Sequence, residues 1–121
     1  IQHVGLVGAG RMGGAMGRHL LAAGIPVSVY DPSEQARDAL VTLGAADCGS
    51  AVEAAAAADL VLVVVVDDVQ VCNAVAACFE GARRGTVVAI CASVRPDTCR
   101  ELAREGAERG VEVIDAALVR G

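Results

Sequence analysis

Apolar residues fall along this chain in short unbroken runs, separated by longer stretches in which they recur every three or four positions. These apolar-rich runs occupy 3–7, 26–30, 60–65, 87–91 and 111–115, with a very short one near 45–47. A strand wetted on one face alternates apolar and polar residues, so continuous runs predict strands covered on both faces, as in a parallel sheet. The stretches between them carry the helical period and predict helices over 12–23, 33–43, 50–57, 69–79 and 96–109. In the last of these, Cys99, Leu102, Ala103 and Ala107 share one face, while Arg100, Glu101, Arg104, Glu105 and Glu108 populate the others. The punctuation agrees. Gly24 and Gly44 are placed to end the first two helices, Pro32 and Ser33 to begin the second, and Pro96 to sit in a first turn, where its missing N–H costs nothing. Strand and helix alternate throughout, with no repeat and no linker. The expected architecture is α/β, a doubly wound parallel sheet of about six strands in the order 3-2-1-4-5-6. In such a sheet the ligand crevice lies beyond the carboxyl ends of strands one and four, here residues 8–13 and 65–68.

The first of those ends reads Gly8-Ala9-Gly10-Arg11-Met12-Gly13. A chain with 14 glycines produces G-x-G-x-x-G by chance, so its context decides. Here it leaves a strand, opens a helix, and is followed by a second strand that closes on Asp31, about 20 residues further on. Each glycine has a physical task. Gly8 turns the chain sharply out of the strand, Gly10 lets a pyrophosphate approach the backbone, and Gly13 lets the helix pack close to the strand. The helix N-terminus offers free N–H groups and a positive dipole end to phosphates. The pattern predicts a Rossmann dinucleotide site, the competing reading being a purely structural turn. A carboxylate at Asp31 accepts hydrogen bonds from the adenosine ribose hydroxyls and repels a 2′-phosphate. Pro32, Ser33 and Glu34 follow it, with no adjacent cation, and Arg37 is read as solvated, so NAD is favoured over NADP. The competing reading makes Asp31 the cap of the second helix, with Pro32 at its first position.

Composition narrows the rest. Of 121 residues 55% are apolar, yet only Tyr30 and Phe79 are aromatic, so the core is built from small aliphatic side chains packed tightly between helix and sheet. A formal charge of −5 argues against a nucleic-acid partner, which requires clustered cations. The longest apolar run, 60–66, is too short to span a bilayer. The five cysteines, Cys48, Cys72, Cys78, Cys91 and Cys99, are odd in number with no C-x-x-C pair, and read as buried free thiols of a cytoplasmic protein. His3 and His19 stand apart, so no metal site is expected. Asp67 and Asp68, near the cleft, read as helix N-terminal acids rather than catalysts.

The segment from Gly5 to Ser33, with its G-x-G-x-M-G, resembles the amino-terminal domain of the β-hydroxyacid dehydrogenases, the family of 3-hydroxyisobutyrate dehydrogenase, with 6-phosphogluconate dehydrogenase as a more distant relative. The resemblance covers essentially the whole chain and implies NAD as cofactor, with Arg11 and Met12 beside the three glycines in the cofactor loop. Ala92-Ser93-Val94-Arg95-Pro96 is similar to the family's Ser-Thr-x-x-Pro, which implies that Ser93 carries the hydroxyl on the nicotinamide side; Ala92 departs from the pattern. Val65 and Val66 stand where the family has Leu-Pro, and the resemblance puts them against the adenine. The terminal residues 115–121 are similar to the substrate segment Asp-Ala-Pro-Val-Ser-Gly-Gly, with Val119 replacing its serine and Arg120 a glycine, so that Arg120 beside Gly121 becomes the candidate partner of a substrate carboxylate.

In that family a lysine from a following all-helical domain is the acid–base group. All ten basic residues here are arginine. No catalytic residue is therefore assigned within 1–121, which is expected to be the cofactor half of a longer enzyme. The resemblance implies hydride transfer between NAD and a small carboxylate-bearing hydroxy acid, and assembly as a dimer or tetramer through the helical domain. Two alternatives stay open: an imine reductase with NADP preference, and a nucleotide-binding module without chemistry.

Overall fold

The computed structural model describes residues 2–116. In chain order the elements are β1 (Val4–Val7), α1 (Arg11–Ala22), β2 (Val27–Tyr30), α2 (Glu34–Val41), β3 (Ala46–Asp47), α3 (Ala51–Ala56), β4 (Leu60–Val63), α4 (Asp68–Gly81), β5 (Val87–Ile90), α5 (Pro96–Glu108) and β6 (Glu112–Asp115). Six strands form one sheet in the order β3-β2-β1-β4-β5-β6, and every neighbouring pair is parallel. The winding runs outward from β1 toward β3, then returns to β4 on the other side of β1 and runs outward to β6. The expected topology is therefore the observed one. Val7 of β1 stands in register with Val63 of β4, so the two strands end level and leave the crevice between the loops that follow them.

Each sheet face has its own core. Leu6, Val27 and Val29 pack with Leu40 of α2, and Gly17 of α1 lies against Leu40 and Leu6. On the opposite face Val61, Val63, Val88 and Ile90 pack with Val71, Val75 and Cys78 of α4. Small residues set the spacing. A Cβ on Gly5 of β1 would stand 2.6 Å from the Ala54 carbonyl oxygen of α3, and Ala54, Ala55 and Ala58 are fully buried there. The alanine run is thus a helix pressed onto the sheet. With so little side-chain bulk between the layers, Phe79 is the one large aromatic buried in this core among the described residues.

Three details differ from the sequence reading. The buried residues of α5 are Thr98, Leu102 and Gly106, one turn apart, whereas Ala107 is exposed. Gly106 wins the inner position because α5 lies against β6: a Cβ there would be 2.6 Å from the Val111 carbonyl oxygen. The edge strand β6 alternates, with Val113 buried and Ile114 exposed, rather than being covered on both faces. All five thiols are free, but Cys72 is exposed on the outer side of α4.

Candidate cofactor-binding site

The three glycines differ in what surrounds them. Gly8 has φ +106°, a left-handed conformation that side chains resist, and a Cβ there would run into the backbone carbonyl of Val64. A Cβ on Gly13 would run into the carbonyl of Gly8, so the first turn of α1 rests directly on the loop. Around Gly10 no atom beyond its own chain neighbours lies within 4 Å of where a Cβ would stand. The protein itself thus requires glycine at 8 and 13, while the space beside Gly10 is open for something else.

The helix that starts there is left uncapped. Ser33, Ser50 and Asp67 cap α2, α3 and α4 with side-chain oxygens, accepting from the N–H groups of Ala36, Glu53 and Gln70. Gly10, at the N-cap of α1, offers no such oxygen, and the first turn of α1 holds no acidic residue. The orphan N–H groups and the positive dipole end face the cleft without a competing anion, with exposed Arg11 and Met12 beside them.

Asp31 follows β2. Its Oδ2 accepts from the Ala9 N–H at 2.8 Å and its Oδ1 from the Ser33 N–H at 2.8 Å. It is not the cap of α2. That role belongs to Ser33, because Asp31 is already committed to the glycine loop. A carboxylate has about four acceptor positions, so two remain for a ligand. The expectation that Arg37 is solvated also fails. Arg37 is half-buried, donates through Nη1 to the Asp31 carbonyl oxygen at 2.6 Å, and pairs through Nε with Asp47 at 2.9 Å. The sequence places Arg37 a turn into the helix but not its contact, which exists because the helical path of α2 brings position 37 back to the strand end.

These parts border one cleft of about 920 Å³. Gly8, Gly10, Arg11, Met12 and Gly13 form one wall, Asp31 one end, and Val65, Val66 and Ser93 the opposite side. Strand β4 ends at Val63, so Val65 and Val66 lie in the loop before α4; Val66 is 80% exposed, and its N–H donates to Gln70 Oε1 at 3.1 Å. The sequence reading missed Ser50, Ala51 and Val52 at the start of α3, and Asn73, Ala74 and Ala77 along α4, which also line the cleft. No motif marks them. They arrive there because α3 and α4 pack side by side beyond the β1–β4 junction. Val119, Arg120 and Gly121 lie outside the described residues.

Asp67 is the cap of α4, as read from the sequence. Asp68 does something else: its Oδ2 accepts from the Thr98 hydroxyl at 2.7 Å and from the Arg95 N–H at 3.2 Å, joining α4 to the start of α5. Cys91 borders the cleft beside Ser93, and burial pushes its thiol up from the ordinary value, which disfavours the thiolate. Among the described residues no three His, Cys, Asp or Glu side chains gather to hold a metal ion, and no helix is long and apolar enough to cross a membrane.

A parallel sheet with this strand order, an uncapped helix behind a glycine turn and a carboxylate at the end of β2 define a dinucleotide-binding domain. Residues 3–121 match the family described as the NAD binding domain of 6-phosphogluconate dehydrogenase, and the chain belongs to that family of NAD(P)-binding domains. Among curated relatives, the 2-(hydroxymethyl)glutarate dehydrogenase of Eubacterium barkeri is 30% identical over 98% of this chain and 40% of its own length. The NAD-dependent L-serine dehydrogenase of Pseudomonas aeruginosa is 29% identical over 100% of the chain and 42% of its own length. The structure of a Mycobacterium tuberculosis 3-hydroxyisobutyrate dehydrogenase with L-serine superposes with a TM-score of 0.93, at 26% identity over 100% of this chain and 42% of that one. An imine reductase from Streptomyces aurantiacus superposes with a TM-score of 0.84, at 29% identity over 94% of this chain and 40% of that one. The chain thus spans about two fifths of the length of the relatives it matches.

Proposed function

We propose that this chain is the cofactor half of an NAD-dependent β-hydroxyacid dehydrogenase, which moves a hydride between the carbinol carbon of a small hydroxy acid and nicotinamide. The bound cofactor supplies the hydride acceptor. The protein's task is to hold it: the α1 N-terminus and Arg11 meet the pyrophosphate, Gly10 leaves room for it, and Val65 and Val66 flank the adenine. Asp31 accepts from the ribose hydroxyls, and Ser93 meets the nicotinamide side. The observation that carries the reading is Asp31, fixed by Ala9 and Ser33 with acceptor positions left over at the ribose end of the cleft. The same carboxylate favours NAD over NADP, and the NAD-dependent serine dehydrogenase among the relatives supports that preference.

The rest of the enzyme belongs to the same proposal. An all-helical domain beyond residue 121 supplies the acid–base lysine and a dimer or tetramer contact. Arg120, between Val119 and Gly121, meets the substrate carboxylate. Free thiols suit the reducing cytoplasm. One observation favours a second reading: Arg37 is held on the backbone carbonyl of Asp31, so a cation stands next to the residue proposed to meet the ribose, where it would suit a 2′-phosphate, and an imine reductase shares this fold. The test is a steady-state assay of the full-length protein with NAD and NADP against a panel of 3-hydroxy acids, and with NADPH against cyclic imines. Hydroxy-acid oxidation with NAD is expected. Imine reduction alone would replace the first reading by the second.

A further inference from the structure

Helix α5 begins without a cap of its own. Its N-cap residue, Arg95, makes no side-chain cap bond, and Pro96 follows in the first turn. In a capping box the side chain at the third helical position reaches back to the N-cap N–H. Here that acceptor comes from another helix. Oδ2 of Asp68, in the first turn of α4, accepts from the Arg95 N–H at 3.2 Å and from the hydroxyl of Thr98, the third residue of α5, at 2.7 Å. Thr98 is buried, and the Arg95 guanidinium lies 3.8 Å from the same oxygen. These bonds join the loops that follow the neighbouring strands β4 and β5, on one side of the cleft. Val65 and Val66 lie just before Asp68, and Ser93 lies just before Arg95; all three border the cleft.

We propose that Asp68 is a positioning residue that fixes the Ser93 loop, and so the nicotinamide end of the cleft, independently of the adenosine end. The inference rests on the proposed reading of Ser93. Asp68 touches no cofactor; it acts through the start of α5. The adenosine end is built from α1, Asp31, α3 and the Val65–Val66 loop, whereas the side-chain bonds of Asp68 run the other way, to Arg95 and Thr98 at the start of α5.

The test compares two ligands on the protein by calorimetric titration: NADH, which occupies both ends, and ADP, which occupies only one. Asp68→Ala is expected to weaken NADH binding about tenfold, the scale of one charge-assisted hydrogen bond, with ADP binding unchanged. Asp68→Asn should recover most of the loss, because a single amide oxygen can accept both bonds. Thr98→Val, which keeps the buried shape, should give a smaller loss in the same direction and serves if Asp68→Ala does not fold. Equal losses for NADH and ADP, or none for either, would overturn the inference. A wild-type protein that binds ADP as tightly as NADH would instead overturn the reading of Ser93 on which it rests.

Discussion

The Ala9 N–H donates to Asp31 Oδ2 at 2.8 Å, so the residue proposed to meet the ribose also holds the glycine loop. Any substitution at 31 therefore acts twice. Ala9 is buried, and a buried donor left without an acceptor costs about 1–3 kcal/mol. Asp31→Ser is expected to lose stability on that scale and to narrow the preference for NAD over NADP by removing the repulsion of a 2′-phosphate. Thermal melts paired with titrations of both cofactors check the two effects separately. Wild-type stability would contradict the link to Ala9, and an unchanged cofactor ratio would contradict the link to the ribose.

Gly10 and Gly13 separate binding from folding. A Cβ at 10 enters open space, so Gly10→Val is expected to fold and to lose cofactor binding. Alanine at 13 collides with the Gly8 carbonyl, so Gly13→Ala is expected to lose at least about 2 kcal/mol of stability. Circular dichroism melts with fluorescence titration read both. A folded Gly10→Val that still binds would refute the docking of the pyrophosphate there.

Acid should weaken the fold through two carboxylates. The backbone N–H groups of Gln2 and His3 hold Asp59 below its ordinary value, and the Thr98 hydroxyl followed by the Arg95 N–H does the same to Asp68. A carboxylate whose folded value is depressed stabilises fully above its unfolded value, near about pH 4, and that contribution is lost as pH falls through the folded value. The melting temperature is therefore expected to change little from neutral pH to about 5 on their account, and to fall below about 4. Asp59→Asn should melt lower at pH 7 and show a shallower acid limb. An acid limb identical to wild type would remove Asp59 from the explanation.

Thiol reactivity should follow burial. Burial pushes Cys78 up to about 12 and raises Cys48, Cys91 and Cys99, whereas Cys72 is exposed. A thiol reagent at neutral pH is expected to label Cys72 first, the half-buried Cys99 next, and the buried Cys48, Cys78 and Cys91 only as the protein opens. Mass spectrometry of the labelled peptides decides it, and equal labelling of Cys72 and Cys78 in the native protein would contradict the burial.

The fold was readable because continuous apolar runs and periodic helices do not depend on distant partners. Gly8, Gly10 and Gly13 were readable for the same reason, since a turn, an open space and a close approach are local needs. What escaped was tertiary. Arg37 folds back onto Asp31 only once α2 is in place, and the wall made by Ser50, Val52 and Asn73 exists only because α3 lies beside α4. Asp68 shows the same limit: its place at a helix start was legible, but its partners Arg95 and Thr98 belong to the next strand–helix unit.

The central claim is that Asp31 and the uncapped α1 hold NAD in this cleft. Calorimetric titration of the protein with NADH and NADPH under identical conditions tests it most directly. The account predicts saturable binding of NADH at one site per chain, tighter than that of NADPH, and loss of both in Gly10→Val. Binding of NADPH as tight as or tighter than NADH, or no binding of either, would contradict it.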